Sequence, residues 1–162
     1  MQREPKLDII DRKILQTLQR EARISNVDLA KRVHLSPTPC FERVRRLEEG
    51  GYILRYVAQL DPQKLGMGLL AFVEVSLDKT NPTAFDHFRD AVATMPEVQE
   101  CHMVAGGFDY LLKLRVKDMA GYRRFLGDRV STLPGVSRTN TYFVMEEVKA
   151  TQEVPVSAPK SK

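Results

Sequence analysis

Apolar residues recur at Leu7, Ile10, Ile14 and Leu18, in steps of three or four that set them on one face of a helix and turn Asp11, Lys13 and Gln16 away from it. Ser25 then stands three residues before Asp28, an approximate capping box that opens a shorter helix carrying Val27, Leu29, Ala30 and Val33. His34 and Leu35 turn the chain. Ser36 followed by Pro37 reads as an N-cap and a first helical position, where the missing proline N–H costs nothing. This third helix runs to about Glu49, with Cys40, Val44 and Leu47 as its buried stripe, Phe41 beside them, and Gly50 and Gly51 at its end. Three such helices, with a short turn between the second and third, predict a helix-turn-helix unit. Residues 52–56 and 57–60 read as short extended pieces able to form a wing, and 61–68, with Pro62 and two glycines, as a linker.

Beyond the linker the pattern changes from helical to alternating. Shifting residues 88–98 by 38 positions superposes Phe88 on Leu126, Val92 on Val130, Met95 on Leu133, Pro96 on Pro134 and Val98 on Val136. Each copy is a helix that ends at a proline and leads into a strand. Alternating strands over 69–77 and 108–116 precede the helices, so the order is β-α-β-β-α-β, the ferredoxin-like split βαβ. Residues 105–108, Ala-Gly-Gly-Phe, predict a tight hairpin between the middle strands, its glycines supplying positive φ. The whole is an α+β chain: a winged helix-turn-helix over 7–60, a ferredoxin-like domain over 69–149, and an aperiodic tail over 150–162 expected to be disordered.

Both faces of the predicted sheet carry apolar residues. Ala71, Val73 and Val75 oppose Leu70 and Phe72, while Tyr110, Leu112 and Leu114 oppose Leu111. In a ferredoxin-like unit the helices cover one face, so the second, to which Cys101, Met103, Phe143 and Met145 can contribute, is open. A second copy must cover it, which predicts a homodimer formed sheet to sheet that presents two heads.

Composition narrows the function. The chain has 162 residues, 43% of them apolar and 28% charged, without a 20-residue apolar run, as expected of a cytoplasmic globular protein with no membrane span. The net charge of +4 is unevenly placed: residues 1–60 hold 12 of the 25 basic and 8 of the 21 acidic side chains, leaving 13 of each in the remainder. A basic module on a neutral one suits a DNA-binding head on a regulatory or assembly body. Cys40 and Cys101 lie 61 positions apart without His partners at ligand spacing, so neither a zinc site nor a disulfide framework is predicted, and both read as buried small hydrophobes. His34, His87 and His102 are isolated; neighbouring Cys101 and His102 on a strand point to opposite faces, which argues against a nucleophile–base pair. The chain is read as neither an enzyme nor a metal or cofactor protein.

Several motifs together resemble one family. Residues 23–27 (RISNV), 35–40 (LSPTPC), 42–47 (ERVRRL), 106–112 (GGFDYLL) and 142–148 (YFVMEEV) look like the Lrp/AsnC family of bacterial transcription regulators, in register over about residues 7–149. The resemblance implies a winged helix-turn-helix joined to a ferredoxin-like domain that dimerises, assembles into octamers or larger particles, and binds amino acids between dimers.

On helix three, Ser36, Thr38, Pro39, Glu42, Arg43, Arg45 and Arg46 are the candidate DNA contacts, a short polar tip followed by arginines suited to guanine or phosphate. From the residues alone, the arginines equally read as a solvated face paired with Glu42, Glu48 and Glu49. Asn26, Lys31 and Arg55 are candidates for the DNA backbone. For the effector, the resemblance points to Met103, Gly106, Gly107, Asp109, Met119, Tyr142, Phe143 and Val144: glycine N–H groups for a carboxylate, Asp109 for an ammonium, and apolar side chains for an aliphatic group. The expected function is sequence-specific regulation of amino-acid metabolism, activating or repressing in response to leucine or another branched-chain amino acid. The partners are double-stranded DNA and further copies of the chain, on the nucleoid. Two alternatives remain: a DNA-wrapping architectural protein with little sequence preference, and an amino-acid-sensing subunit of a metabolic enzyme, which leaves the basic head unexplained.

Overall fold

The structure, a computed structural model of the chain, describes residues 7–78 and 81–156. These form two compact units, one made of the residues up to Gln59 together with those from Ala150 onward, the other of Leu60–Lys149.

The first unit holds α1 (Ile9–Arg20), α2 (Asn26–Arg32) and α3 (Pro37–Glu49). Asp8 caps α1 and closes a reciprocal box with Asp11, while the Ser25 hydroxyl accepts from the Asp28 amide to start α2. Ser36 has the extended backbone of an N-cap, but its hydroxyl makes no capping bond. Ile14, Leu29, Ala30, Val33, Cys40 and Leu47 form the buried core. Val27 and Phe41 differ from expectation, being 49% and 55% exposed. Asp11 differs more: read as a solvent-facing residue, it is only 2% exposed.

No strand forms over 53–60, so the expected wing is absent as a paired element; Leu54, Val57 and Leu60 are exposed. Isolated extended segments without a partner strand have nothing to donate to or accept from. The Tyr56 hydroxyl donates to Glu48 Oε1 at 2.8 Å and ties this segment to α3. Burial first, and then that carboxylate, push the Tyr56 phenol up to about 12.

The expected disorder of the tail does not hold for 153–156. Gln19 pairs with the Val154 backbone, donating to its carbonyl at 3.1 Å and accepting from its N–H at 2.6 Å. Gln16 donates to the Val156 carbonyl at 2.8 Å, and Arg20 bonds Glu153 at 3.2 Å. These side chains satisfy backbone groups that the sequence leaves unpaired. Residues 157–162, which the same expectation covers, lie outside the described residues.

The second unit follows the order β1 (Leu69–Leu77), α4 (Pro82–Ala93), β2 (Val98–Met103), β3 (Tyr110–Val116), α5 (Met119–Phe125) and β4 (Val136–Phe143), with a π-helical turn over Leu126–Val130 extending α5. The four strands form one antiparallel sheet in the order β2-β3-β1-β4. Ala71, Val73, Val75, Leu112 and Leu114 are fully buried on the face that packs with Phe88 and Val92 of α4 and Tyr122 and Phe125 of α5. Phe88 stacks on Tyr110 with ring centroids 4.4 Å apart. Residues 61–68, read as the linker, are turned on themselves: Asp61 accepts from the Gln63 and Lys64 amides, and Gly66 has φ +68°.

The opposite face is less apolar than expected. By register, Cys101, Met103 and Phe143 project to the helix-covered side, since they oppose Leu112, Tyr110 and Ala71. Phe72 and Leu111 remain on the open face, beside Glu74, Glu100, His102, Lys113, Arg115, Asn140 and Tyr142. Much of that charge is paired within the chain, Glu100 with Lys113 and His102, and Arg115 with Glu147. Leu70 is only 4% exposed without a partner protomer. Cys101 is exposed, not buried like Cys40, because it lies on edge strand β2.

Candidate functional site

The exposed face of α3 is the first candidate site. Pro37 at the first turn and the extended Ser36 start the helix, so Ser36, Thr38 and Pro39 cluster at its N-terminal tip, all outside the buried stripe of Cys40 and Leu47. Glu42 and Arg45 follow on the exposed surface, Arg45 bonding Glu49 at 2.7 Å one turn on. An exposed pair of this kind contributes little and is readily exchanged for a phosphate.

Arg43 and Arg46 are placed differently. Arg43 Nη1 bonds Asp8 at 2.6 Å and Asp11 at 2.8 Å, and Arg46 Nη2 bonds both Asp11 oxygens at 2.9 Å. Burial opposes the charge on Asp8, yet the Asp11 amide and Arg43 together hold its carboxyl below the ordinary aspartate value. The hydrogen bond from Arg43 to Asp8 correspondingly raises the arginine. Asp8 and Asp11 were missed as site residues; the available signal was the Asp-x-x-Asp spacing at a helix start facing two arginines three residues apart.

Asn26 donates to the Pro37 carbonyl at 2.8 Å and so joins α2 to the start of α3. Lys31 pairs loosely with Asp28 at 3.4 Å on the surface, and Arg55 is exposed on 53–60.

The second candidate site falls into two halves. Met103, Gly106, Gly107 and Asp109 lie at the β2–β3 connection, a six-residue loop over 104–109 closed by the Val104 amide on the Asp109 carbonyl. It is not the expected tight hairpin, and neither Gly106 nor Gly107 has positive φ; a Cβ on either meets nothing within 4 Å. Both glycines therefore leave open space. Asp109 Oδ2 accepts from the Leu77 amide at 2.7 Å, so one carboxylate oxygen is used to fix the loop against β1.

Tyr142, Phe143 and Val144 sit by Ala71 and Leu70 at the other end of β1, and Met119 follows β3 at that same end. The six steps from Ala71 to Leu77 span roughly 20 Å at about 3.3 Å per residue, so one protomer does not bring the two halves together. Phe143 packs edge-on against Tyr122 at 4.8 Å, and the Tyr122 hydroxyl meets Thr141 Oγ1 at 2.5 Å. Met103, Met119 and Tyr142 are 58%, 50% and 51% exposed.

Residues 7–53 match the family model for a winged helix-turn-helix DNA-binding domain, and residues 70–154 that for the Lrp/AsnC ligand binding domain. The leucine-responsive regulatory proteins of Klebsiella pneumoniae and Escherichia coli K12 are each 55% identical over 150 residues, 93% of this chain and 92% of theirs. A transcriptional regulator from Neisseria meningitidis, solved as a complex with L-Met, is similar at TM-score 0.90 and 39% identity, covering 93% of this chain and 97% of the other. An AsnC family transcriptional regulator from Agrobacterium tumefaciens is similar at TM-score 0.88 and 37% identity, with the same coverage.

Proposed function

Because the chain belongs to the Lrp/AsnC family and is a DNA-binding transcription regulator with an amino-acid ligand domain, we propose that α3 reads operator DNA and that leucine, or another apolar amino acid, tunes that binding. The observation that carries the DNA reading is the exposed polar tip of α3, Ser36, Thr38 and Glu42, held on a buried three-helix core. Short side chains at a helix N-terminus can reach base edges in the major groove, with Arg45, Asn26, Lys31 and Arg55 available to the backbone.

The effector site is a composite of two copies. The loop half offers Gly106 and Gly107 N–H groups to a carboxylate, and the free Asp109 oxygen to an ammonium. The other half offers Tyr142, on the open face of the sheet, to an apolar side chain, with Met119 at the same end and Phe143 on the helix-covered side behind it. The leucine-responsive name of the relatives and the L-Met bound by the Neisseria meningitidis regulator favour an effector of that class. Neither half is complete alone, so the active form is a homodimer assembled into octamers or larger particles, working on the nucleoid in the cytoplasm. It performs no catalysis.

The test is the affinity ratio between a duplex selected from random sequence by this protein and a mixed-sequence duplex of equal length, at fixed salt, with and without 10-fold steps of leucine or L-Met. A ratio of about a thousand or more, shifted by the amino acid, is expected. A ratio near one would favour architectural wrapping of DNA, and a ratio indifferent to both amino acids would remove them as effectors.

A further inference from the structure

The hydrophobic contact between α1 and α3, with Ile14, Cys40 and Leu47 at its centre, sets which face of α3 turns inward, and directional polar bonds beside it can narrow the rotation further. The rotation matters, because it decides which side chains face a groove. Beside that contact lies a charge-balanced cluster of Asp8, Asp11, Arg43 and Arg46 in which every carboxylate oxygen is occupied. Asp8 Oδ1 accepts from the Asp11 amide and Oδ2 from Arg43; Asp11 Oδ1 accepts from Arg43 and Arg46, and Oδ2 from Arg46 and the Asp8 amide. Asp11 itself is 2% exposed, the one charged side chain in the buried set among the described residues.

We propose that Asp11 is the positioning residue of the recognition helix, holding Arg43 and Arg46 so that they orient α3 instead of neutralising DNA phosphates. Two arginines one turn apart, both seated on one buried carboxylate while their own side chains stay 26% and 51% exposed, fix α3 in rotation and in slide; directional pairs on a buried carboxylate contribute more to a unique geometry than to net stability. The arginine left for the DNA backbone on this helix is Arg45, whose partner Glu49 is exposed and easily exchanged. The proposal rests on the reading of α3 as the recognition helix, and it removes two arginines that the sequence assigns to DNA.

Salt dependence separates the roles, because each phosphate neutralised adds about 0.9 to the slope of log affinity against log salt. Full-length Asp11→Asn, Arg43→Ala, Arg46→Ala and Arg45→Ala are measured on the selected and the mixed-sequence duplexes. Arg45→Ala is expected to lower the slope by about one on both duplexes. Asp11→Asn, Arg43→Ala and Arg46→Ala are expected to cut the selected-to-mixed affinity ratio about tenfold or more while leaving the slope unchanged. Partial unfolding would lower both affinities in proportion and keep the ratio. Should Asp11→Asn unfold, Asp8→Asn carries the test: it keeps both arginines and removes one of the two carboxylates that Arg43 Nη1 bridges, so the ratio falls at constant slope, whereas an arginine engaged with phosphate would keep the ratio. A slope reduced by about one in Arg43→Ala or Arg46→Ala, or a ratio unchanged in Asp11→Asn, overturns the inference. If instead Arg45→Ala changes neither affinity nor slope and the wild type shows no preference, it is the reading of α3 that fails.

Discussion

A single aspartate shows where sequence periodicity stops carrying information. Asp11 follows Ile10 by one residue and was assigned to the wet side of α1, because the pattern records which positions are apolar but not which polar ones meet a partner from another element. Its partners, Arg43 and Arg46, lie more than 30 residues away, and only the packing of α3 on α1 brings them in. The same blindness applies to Asp109, whose carboxylate anchors the Leu77 amide, and to Asn26, which bonds the Pro37 carbonyl. Asp8 gives this cluster a pH signature. Its folded-state carboxyl is held below the ordinary value, so its contribution is fully present above the unfolded-state value and is lost as pH falls through the folded one. Glu100, lowered first by Lys113 and then by His102, behaves alike in the second unit. Acid unfolding followed from pH 7 to pH 2 should therefore show stability falling below the usual carboxylate range, and Asp8→Asn should flatten that fall while lowering stability at neutral pH. An identical acid limb in Asp8→Asn would mean that Asp8 keeps no advantage in the folded state.

At the scale of elements, helices and strands were legible because each has a strong local cause. The cap at Ser25 was read from the sequence and those at Asp8, Asn81 and Asp118 are seen in the structure, while Ser36 starts α3 without a capping bond; the alternation of Ala71, Val73, Val75 and Leu77 fixes the inner face of β1. The 38-residue repeat correctly foretold two helices that each end near a proline and feed a strand. Elements that depend on a partner were not legible. Residues 53–60 have strand-like composition but find no strand to pair with in a single chain, and 153–156, which have no periodicity at all, are held because α1 presents Gln16, Gln19 and Arg20 to them. That docking has a measurable consequence. Exposed hydrogen bonds of this kind contribute about 0.5 to 1.5 kcal/mol each, so truncation after Ala150 should loosen α1 by about 1 to 2 kcal/mol in total. Amide hydrogen exchange in α1 should then accelerate by about tenfold. Unchanged protection of those amides would show that the tail adds nothing to the head.

On the scale of the whole molecule, the proposed assembly is tested at the open sheet face and at the two halves of the proposed effector site. Phe72 and Leu111 stay on the open sheet face among paired charges, whereas Leu70, the obvious choice from sequence, is already buried in one protomer and would report on folding instead. Leu111→Asp is therefore the cleaner probe: an unpaired carboxylate in a covered face carries a large desolvation penalty, and sedimentation should show monomers, while intact dimers would mean the face stays wet. The effector site makes the stronger demand, since its halves stand roughly 20 Å apart along β1 at about 3.3 Å per residue. If each pocket joins the 104–109 loop of one copy to Tyr142 of another, two defective chains can repair one another. Gly107→Phe fills the loop half without distorting it, because a Cβ there meets nothing within 4 Å and its φ is not positive. Tyr142→Ala empties the other half and leaves the fold, since Tyr142 is 51% exposed. Each variant alone should lose the leucine-dependent change in DNA affinity. Co-assembled in equal amounts, random assortment leaves about one quarter of the pockets with a wild-type loop facing a wild-type Tyr142. A fraction of about that size of the wild-type leucine binding should return in calorimetry of the mixture. Mixtures as silent as either parent would place both halves of the pocket within one chain, against the register of the sheet.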